Sequence, residues 1–283
     1  MKFITFTHSD QVPLPGLLVS DNVYDLSGAG FSTVLDVIRG GSQAIAAVHA
    51  LVKAGAASLP LDQVQLLAPI PNPPRIFGIG LNYADHAAES KMKVQPVPTV
   101  FLKLSSSVTG PGSNIILPSN STQPDYEAEL GVVIAKSGYR ISAANWQEYV
   151  FGYTIVNDVS ARDIQLATTQ WTLGKSFPTF TPLGPSVVTS EEVPDPHTLD
   201  IRLSIDGEVL QSANTTDLLF RVPQLIEYIS SITPLEGGDI ISTGTPPGVG
   251  LGRSPQRWLR PDEEIVINIQ HIGELRNRTV AEA

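Results

Sequence analysis

One strand-like segment of this chain carries two acidic residues on the same face. Residues 126–134, which follow Asp125, are apolar and β-prone except at Glu127 and Glu129. Successive side chains of a strand point to opposite faces, so the two glutamates would lie side by side. The opposite face would carry the side chains of Tyr126, Ala128, Leu130 and Val132. Neighbouring like charges repel each other, and burial makes both carboxylates costly.

A divalent cation would remove both costs, and hard carboxylate oxygens select Mg²⁺, Mn²⁺ or Ca²⁺. The alternative is that both glutamates lie on the solvated outer face of an edge strand. The next strand-like run, residues 151–157, ends at Asp158, which is well placed to be a third ligand. Asp158 could instead cap the helix-like segment that follows it. Taken together, the three carboxylates favour a metal site.

Composition excludes several classes of function. The chain has 283 residues and is 42% hydrophobic, which supports a sizeable core in one large domain, with or without a small appendage. It has no cysteine, which excludes disulfides, thiolate zinc sites and cysteine nucleophiles. The net charge is −10 without a run of Lys or Arg, which argues against nucleic acid or an anionic membrane as the main partner.

The sequence also bears on location. Residues 1–8 are too short and too polar a stretch for a secretory signal, and no apolar run approaches the roughly 18 to 20 residues that span a bilayer. We therefore expect a soluble, cytoplasmic protein.

The chain divides at a proline-dense joint, residues 69–74. Proline is excluded from helix interiors and favours extended backbone before it, so this joint would act as a semi-rigid linker. Residues 1–70 are predicted to form a small α/β module, with strands at 3–6, 16–19 and 22–25 and helices at 32–39 and 43–54. Residues 71–283 would form the larger domain.

Strand patterns dominate the larger domain. They cover residues 75–80, 99–103, 127–135, 151–157, 186–189, 200–205, 240–243 and 264–269, with a hairpin turn at Asp206-Gly207. Helices are predicted at 83–91, 142–148, 162–169 and 222–230. This order lacks the regular alternation of a doubly wound sheet. It predicts an α+β fold with an antiparallel-rich, rolled or barrel-like sheet and peripheral helices.

His86 and Glu89 form a possible acid–base pair. Residues three apart on a helix share a face, so the carboxylate could orient the imidazole as a general base. Spacing alone favours the alternative, an exposed helix with an incidental pair. Asn82 would cap this helix, with Asp85 in a capping-box-like position.

Three further polar residues could face the same site. Lys175 lies among apolar and small residues, where it is either a surface group or an anion clamp. Arg162 and Gln165 follow Asp158 by about one helical turn, and a guanidinium beside an amide suits carboxylate recognition. Each of them alone is more typical of a structural residue.

A glycine-rich segment, residues 237–250, would run from a strand into a loop whose N–H groups could approach a ligand. It lacks the ending of a phosphate-binding P-loop, and a simple tight turn explains it equally well. Gly78 and Gly80 lack the third glycine of a dinucleotide-binding fingerprint.

Taken together, these motifs resemble those of a known protein family. From Arg75 to Gly250 the chain resembles the fumarylacetoacetate hydrolase family. The matching segments are residues 80–89, 101–103, 125–130, 157–165, 174–177 and 242–246. No single segment is specific, but their order and spacing together are.

The resemblance implies a mixed β-roll, usually homodimeric, that binds Mg²⁺ or Mn²⁺ through Glu127, Glu129 and Asp158. It implies a mobile segment that closes over the substrate, with His86 and Glu89 activating water. The α-keto carboxylate end of the substrate would meet Arg162, Gln165, Lys175 and Thr245. Lys175 would also stabilise the enolate that cleavage releases.

Family members cleave C–C bonds in β-diketo acids such as acylpyruvates, decarboxylate or tautomerise oxaloacetate-like acids, or act as lyases on ureido acids. We expect the first activity, with the others as alternatives. A second class of hypothesis is a protein that binds a keto acid or metal without turnover. The presence of His86, Glu89 and Lys175 argues against it.

The resemblance also yields a prediction about assembly. We expect a homodimer, which is also the commonest symmetric assembly. Sedimentation at micromolar concentration should therefore show a species of twice the 30.3 kDa chain mass. A single species of monomer mass would contradict this expectation.

Overall fold

The computed structural model describes residues 1–9, 12–90 and 92–283. The strands in these residues are β1 (Lys2–Thr7), β2 (Leu14–Val19), β3 (Asn22–Asp25), β4 (Ser58–Pro60), β5 (Gln65–Leu67), β6 (Ile76–Gly80), β7 (Thr99–Lys103), β8 (Val108–Thr109), β9 (Asn114–Leu117), β10 (Pro124–Asp125), β11 (Ala128–Ile134), β12 (Val150–Asn157), β13 (Ser160–Ala161), β14 (Thr181–Thr189), β15 (Asp200–Ile205), β16 (Glu208–Asn214), β17 (Ile240–Ser242), β18 (Glu264–Ile269) and β19 (Gly273–Ala281). The α-helices are α1 (Val34–Lys53), α2 (Ala84–Glu89), α3 (Arg162–Gln165) and α4 (Val222–Ile232). Short 3₁₀ helices cover Ser27–Ala29, Leu61–Gln63, Ser105–Ser107, Ala143–Tyr149, Thr172–Lys175, Ser190–Glu192, Thr215–Asp217 and Gly250–Gly252.

These strands form two large sheets and one small one. The largest has the order β4-β3-β2-β1-β14-β12-β11-β17-β6-β7, with β5 beside β1 and β8 beside β14. A second sheet has the order β16-β15-β18-β19-β9, and β10 pairs with β13. The pairs β17/β6, β14/β8 and β19/β9 are parallel and the others antiparallel. The predicted α+β fold with a mixed, antiparallel-rich sheet is confirmed.

The largest sheet is covered on both faces. On one face, β11 and β12 pack against the second sheet and α4 in a core that includes Leu130, Ile155 and Leu225. On the other face, α1 contributes Val37 and Val48 to a separate core. Every residue of β11 and β12 is consequently buried. Glu129 in β11, and Glu127 just before this strand, therefore lie in the middle of the protein.

The first 70 residues share the largest sheet with the rest of the chain. Strand β1 pairs antiparallel with β14, and β5 pairs with β1. α1 has a non-helical backbone at Gly41, which agrees with the two helical stretches predicted on either side of it. The independence of residues 1–70 as a domain stays a prediction.

Most predicted elements exist, with boundary differences. The helix predicted at 142–148 is a 3₁₀ helix over Ala143–Tyr149 instead of an α-helix, and α3 ends four residues before its predicted end at Thr169. The helix predicted at 83–91 ends at Glu89, and Lys91 lies outside the described residues. Strand β19 was not predicted because its inward side chains include polar Asn277 and Thr279, which hide the alternation. Both are hydrogen-bonded inside the sheet.

One structural observation bears on the expectation that no segment of the chain spans a membrane. Among the helices of the described residues, none has the length and apolar character needed to cross a bilayer.

Candidate active site

The three candidate metal ligands meet because of strand register. In the antiparallel pair β11/β12, Ala128 lies opposite Asn157, which places Glu127 opposite Asp158. The Asp158 N–H donates to the Glu127 carbonyl at 2.9 Å. One carboxylate oxygen from each of Glu127, Glu129 and Asp158 lies within 4.8 Å of the others. Register alone therefore assembles an acidic cluster from two neighbouring strands.

The acidic cluster is fully inside the protein. Glu127, Glu129 and Asp158 are only 3%, 1% and 1% exposed. Strand β11 lies between β12 and β17, so the alternative of a solvated edge strand is wrong. Asp158 does not cap the next helix either, because α3 has Ala161 at its N-cap and no capping side chain.

Glu127 is neutralised by two cations. Its Oε1 accepts from Arg162 Nη2 at 2.6 Å, and its Oε2 accepts from Lys175 Nζ at 2.6 Å. Burial raises the pKa of Glu127, but the two cations outweigh it and hold that pKa well below its usual value. Glu127 is therefore ionised throughout the physiological pH range. Lys175 is buried, so the alternative of a surface lysine is wrong.

Asp158 has a different environment at each oxygen. Its Oδ2 accepts from Lys175 Nζ at 2.8 Å. Its Oδ1 lies 2.6 Å from Lys103 Nζ as an ion pair, but no described residue gives it a hydrogen bond. A buried carboxylate oxygen in this state has an unused lone pair, which a metal ion could accept.

Glu129 lacks a cationic partner among the described residues. Its Oε2 accepts from Ser242 Oγ at 2.6 Å and from the Gly244 N–H at 2.8 Å. Burial, together with the charges of Asp158 and Glu127, raises the pKa of Glu129 well above its usual value. Glu129 is therefore the carboxylate that most needs an added positive charge in order to ionise.

The residues present fit a hard divalent cation. Four buried carboxylates, those of Asp125, Glu127, Glu129 and Asp158, face three buried cations, Lys103, Arg162 and Lys175. With all four carboxylates ionised, one negative charge is left over, and one oxygen of Asp158 has no hydrogen bond from the described residues. Carboxylate oxygens without sulfur or imidazole are the donor set of Mg²⁺ and Mn²⁺.

The His86–Glu89 pair lies beside this cluster. Helix α2 brings His86 Nδ1 to 3.0 Å from Glu89 Oε1. His86 is 5% exposed, so its side chain does not lie on an exposed face of the helix. The catalytic role of the pair stays a prediction. The predicted cap at Asn82 is wrong. Tyr83 occupies the N-cap position, while Asn82 donates to the carbonyls of Phe220 and Thr243.

Arg162 and Gln165 share the site, as their spacing predicted. Arg162 Nη1 donates to Gln165 Oε1 at 3.0 Å, and Arg162 Nε donates to Asp125 Oδ2 at 2.9 Å. Glu127 and Asp125 raise the pKa of Arg162 against the lowering effect of burial. The Thr245 hydroxyl donates to the Ala128 carbonyl at 3.0 Å and lines the same pocket.

The glycine-rich loop binds carboxylates through its backbone. The N–H groups of Gly244, Gly248 and Gly250 donate to Glu129, Glu89 and Asp125 respectively. The sequence pattern left open whether these groups meet a ligand or form a simple turn. They hold the acidic side chains of the site in place.

The free space in the pocket over the cluster is about 20 Å³, which is room for about one water molecule. Its charged lining residues are His86, Glu127, Glu129, Asp158, Arg162 and Lys175. Its apolar lining residues are Ile79, Leu81, Met92, Phe101, Leu166, Trp171 and Leu251. Ser90 also lines it, and its buried hydroxyl has no hydrogen-bond partner among the described residues. A ligand would thus meet both charged and apolar side chains.

Sequence reasoning assigned no role to three residues of the site: Lys103, Asp125 and Ser242. Lys103 contacts Asp158, and it also donates to the Lys175 carbonyl. Asp125 joins Arg162 to the glycine-rich loop, and Ser242 holds Glu129. One feature of the sequence could have pointed to Lys103 and Asp125 as site residues. Each is a charged residue next to an apolar or β-prone run: Lys103 ends one, and Asp125 begins one.

The raised pKa of Glu129 predicts how metal binding depends on pH. A cation needs the ionised carboxylate, so Mn²⁺ affinity should fall as pH falls and protons compete for Glu129. Ser242→Ala removes a hydrogen bond that lowers this pKa, so it should move the pH of half-maximal binding upward. Calorimetric Mn²⁺ titrations at several pH values would measure this shift. Ser230→Ala is the control, because Ser230 is also a buried and hydrogen-bonded serine but lies in α4. This substitution should not change the pH of half-maximal binding.

Glu129→Gln should abolish Mn²⁺ binding to the cluster while the protein stays folded. Tight binding that survives in this variant would show that the metal lies elsewhere.

Comparison with known proteins supplies the family. The family model described as "Fumarylacetoacetate (FAA) hydrolase C-terminal" matches residues 75–280. The mitochondrial oxaloacetate tautomerase Fahd2a of Rattus norvegicus is 41% identical over 249 residues, which is 88% of this chain and 80% of that protein.

Two solved structures align with the full length of this chain, and this chain aligns with the full length of each of them. A fumarylacetoacetate hydrolase from Exiguobacterium antarcticum has 34% identity and a TM-score of 0.88. A maleylpyruvate hydrolase from Sphingobium sp. SYK-6, in complex with manganese(II) ion and pyruvate, has 29% identity and a TM-score of 0.86. The match over residues 75–280, the shared fold and the identity to a curated relative agree with the motifs. The chain therefore belongs to the fumarylacetoacetate hydrolase family.

Proposed function

We propose that this protein is a metal-dependent hydrolase that cleaves a C–C bond in a β-diketo acid of the acylpyruvate class. The observation that carries the proposal is buried His86, whose Nδ1 lies 3.0 Å from Glu89 and which lines the same pocket as three convergent carboxylates. A hydrolase needs a base for water as well as an electrophilic site for the keto acid. The pocket offers both.

Glu127, Glu129 and Asp158 would hold Mg²⁺ or Mn²⁺, as the acidic cluster and the manganese of the maleylpyruvate hydrolase support. When bound, the ion would act as a Lewis acid on the keto-acid end of the substrate. Lys175 would then be free to donate to the substrate, since the oxygens it now contacts would have another partner. Arg162, Gln165 and Thr245 would position the substrate carboxylate.

The His86–Glu89 pair would perform the proton transfer. Glu89 Oε1 accepts the Nδ1–H of His86, which assigns Nε2 as the basic nitrogen. His86 Nε2 takes a proton from water, and the resulting hydroxide attacks the distal carbonyl carbon. The C–C bond then breaks, its electron pair passes to the pyruvate-derived fragment as an enolate, and the acyl fragment leaves as a carboxylic acid. Lys175 Nζ would stabilise the enolate charge.

The apolar side chains of the lining support an acyl group beyond the keto acid. Oxaloacetate would place a second carboxylate beside them, and an unpaired buried charge is costly. The two permanent cations that line the described part of the pocket, Arg162 and Lys175, would both be engaged at the keto-acid end of the substrate, so neither is left for a second carboxylate. An acylpyruvate instead presents a carbonyl and an apolar chain, which match the Ser90 hydroxyl and the apolar side chains.

The second candidate is tautomerisation of oxaloacetate, which the 41% identity to the rat tautomerase favours. That reaction moves a proton between carbon and oxygen, so it needs a proton-transfer group but no attacking water. Decarboxylation of an oxaloacetate-like acid or lysis of a ureido acid would use the same carboxylates. All these candidates share the acidic cluster and Lys175 and differ in how strongly they depend on His86.

His86→Ala separates the candidates. If hydrolysis is the native reaction, this variant should lose at least about 10²-fold in turnover of acylpyruvates, because the base for water is gone. Any decarboxylation of oxaloacetate should suffer less. Loss of the enol absorbance in a metal-supplemented assay measures turnover, and added chelator should stop it. His49→Ala, at an exposed histidine of α1, should retain full activity.

Rapid tautomerisation of oxaloacetate by the wild-type protein, with every tested acylpyruvate left intact, would overturn the hydrolase proposal. It would promote the second candidate. The homodimer and the cytoplasmic location stay predictions.

A further inference from the structure

The carboxylate of Glu89 rests against a glycine. A Cβ atom added at Gly252 would lie 2.7 Å from Glu89 Cδ and 2.8 Å from both Cγ and Oε2. We propose that Gly252 is a positioning residue: its missing side chain leaves the space in which Glu89 orients His86. This inference rests on the role proposed above for the His86–Glu89 pair.

Glu89 is confined from three directions. Its Oε1 contacts His86 Nδ1, and both of its oxygens accept from the Gly248 N–H, at 2.9 and 3.1 Å. Gly252 lies on the third side, where an added Cβ atom would come within 2.8 Å of the Glu89 carboxylate. The carboxylate therefore has one position in which it keeps all its partners.

The loop that carries Gly252 is fixed from its other side. The buried carboxylate of Asp125 accepts from the N–H groups of Gly250 at 2.7 Å and Leu251 at 3.0 Å. Gly252 itself donates its N–H to the Val249 carbonyl at 3.2 Å. A new methyl group at position 252 would therefore push against a well-held loop on one side and a flexible side chain on the other.

The side chain should yield. The atoms that the methyl group would meet belong to the far end of Glu89, which can rotate away, and not to backbone. Gly252 does not have a left-handed backbone, so alanine is conformationally acceptable there. Gly252→Ala should thus keep the fold and the acidic cluster but turn Glu89 away from His86.

The neighbouring glycines do not offer the same test. A Cβ at Gly248 would meet the Leu210 carbonyl, and one at Gly250 would meet the Arg257 carbonyl. Backbone atoms cannot rotate away, so substitutions there would deform the loop. Gly252 is the position on this loop where a methyl group acts on Glu89.

A double-mutant cycle tests the proposal. It compares acylpyruvate turnover by the wild type, Gly252→Ala, Glu89→Ala and the double variant. Gly252→Ala alone should lower kcat by about 10-fold or more, with Mn²⁺ affinity and thermal midpoint close to wild type. In the Glu89→Ala background the same change should cost less than about 2-fold, because the carboxylate that it displaces is absent.

A second readout does not depend on turnover. The Nδ1–H proton of His86, held by Glu89, should give a protected signal in ¹⁵N-edited NMR of the wild type. Gly252→Ala and Glu89→Ala should each lose it. Gly28→Ala is the matched control, because its Cβ would meet only Leu51 at 3.8 Å, an ordinary contact, and it should keep both the signal and the activity.

The outcomes separate the two proposals. An equal loss of kcat in both backgrounds, or a retained His86 signal in Gly252→Ala, would overturn the role of Gly252. Absence of acylpyruvate turnover in the wild type, with the His86 signal lost in Gly252→Ala, would overturn the hydrolase and leave the positioning role supported.

Discussion

The rest of the site depends on three carboxylates buried in the centre of a sheet. Glu127, Glu129 and Asp158 lie where β11 and β12 are covered on both faces, so very little water reaches them. Isolated charges in such a place would cost many kcal/mol, and the protein therefore surrounds them with cations and N–H donors. The compensation is incomplete at Glu129, whose pKa is raised by burial and by its acidic neighbours. This remaining imbalance is the physical reason to infer a metal ion.

A continuous set of contacts joins the acidic cluster to the catalytic pair. Arg162 binds both Glu127 and Asp125, Asp125 holds the N–H of Gly250, and the same loop holds Glu89 through Gly248. The base and the metal ligands thus rest on one scaffold, although they come from distant parts of the sequence. Substitutions at Asp125 should consequently disturb both the metal ligands and the catalytic pair. A substitution at Gly252 should disturb the catalytic pair alone.

The sequence predicted those features of the site that depend on local periodicity. Alternation in residues 125–134 placed Glu127 and Glu129 on one face, and helical spacing brought His86 to Glu89. Asp158 was within reach because its strand follows in the chain and pairs directly with β11.

Contacts between distant elements could not be predicted in this way. Lys103 reaches Asp158 only because β7 and β6 follow β17 in the largest sheet, an order that periodicity does not encode. The cap expected at Asn82 failed for the same reason. Its amide is used by Phe220 and Thr243, more than 130 residues away. The 12-stranded sheet likewise joins strands from residues 1–70 to strands from the rest of the chain, a pairing that periodicity does not encode.

We infer that buried Glu127, Glu129 and Asp158 bind one divalent cation. Anomalous diffraction from crystals grown with Mn²⁺ and oxalate would locate this ion. We expect a single strong peak within about 2.0–2.3 Å of an oxygen of each carboxylate, with waters or oxalate completing an octahedron. We also expect Lys175 Nζ to turn from these carboxylates toward the oxalate. A cluster without a peak, with Lys175 still bridging Glu127 and Asp158, would show that the three carboxylates do not bind a cation.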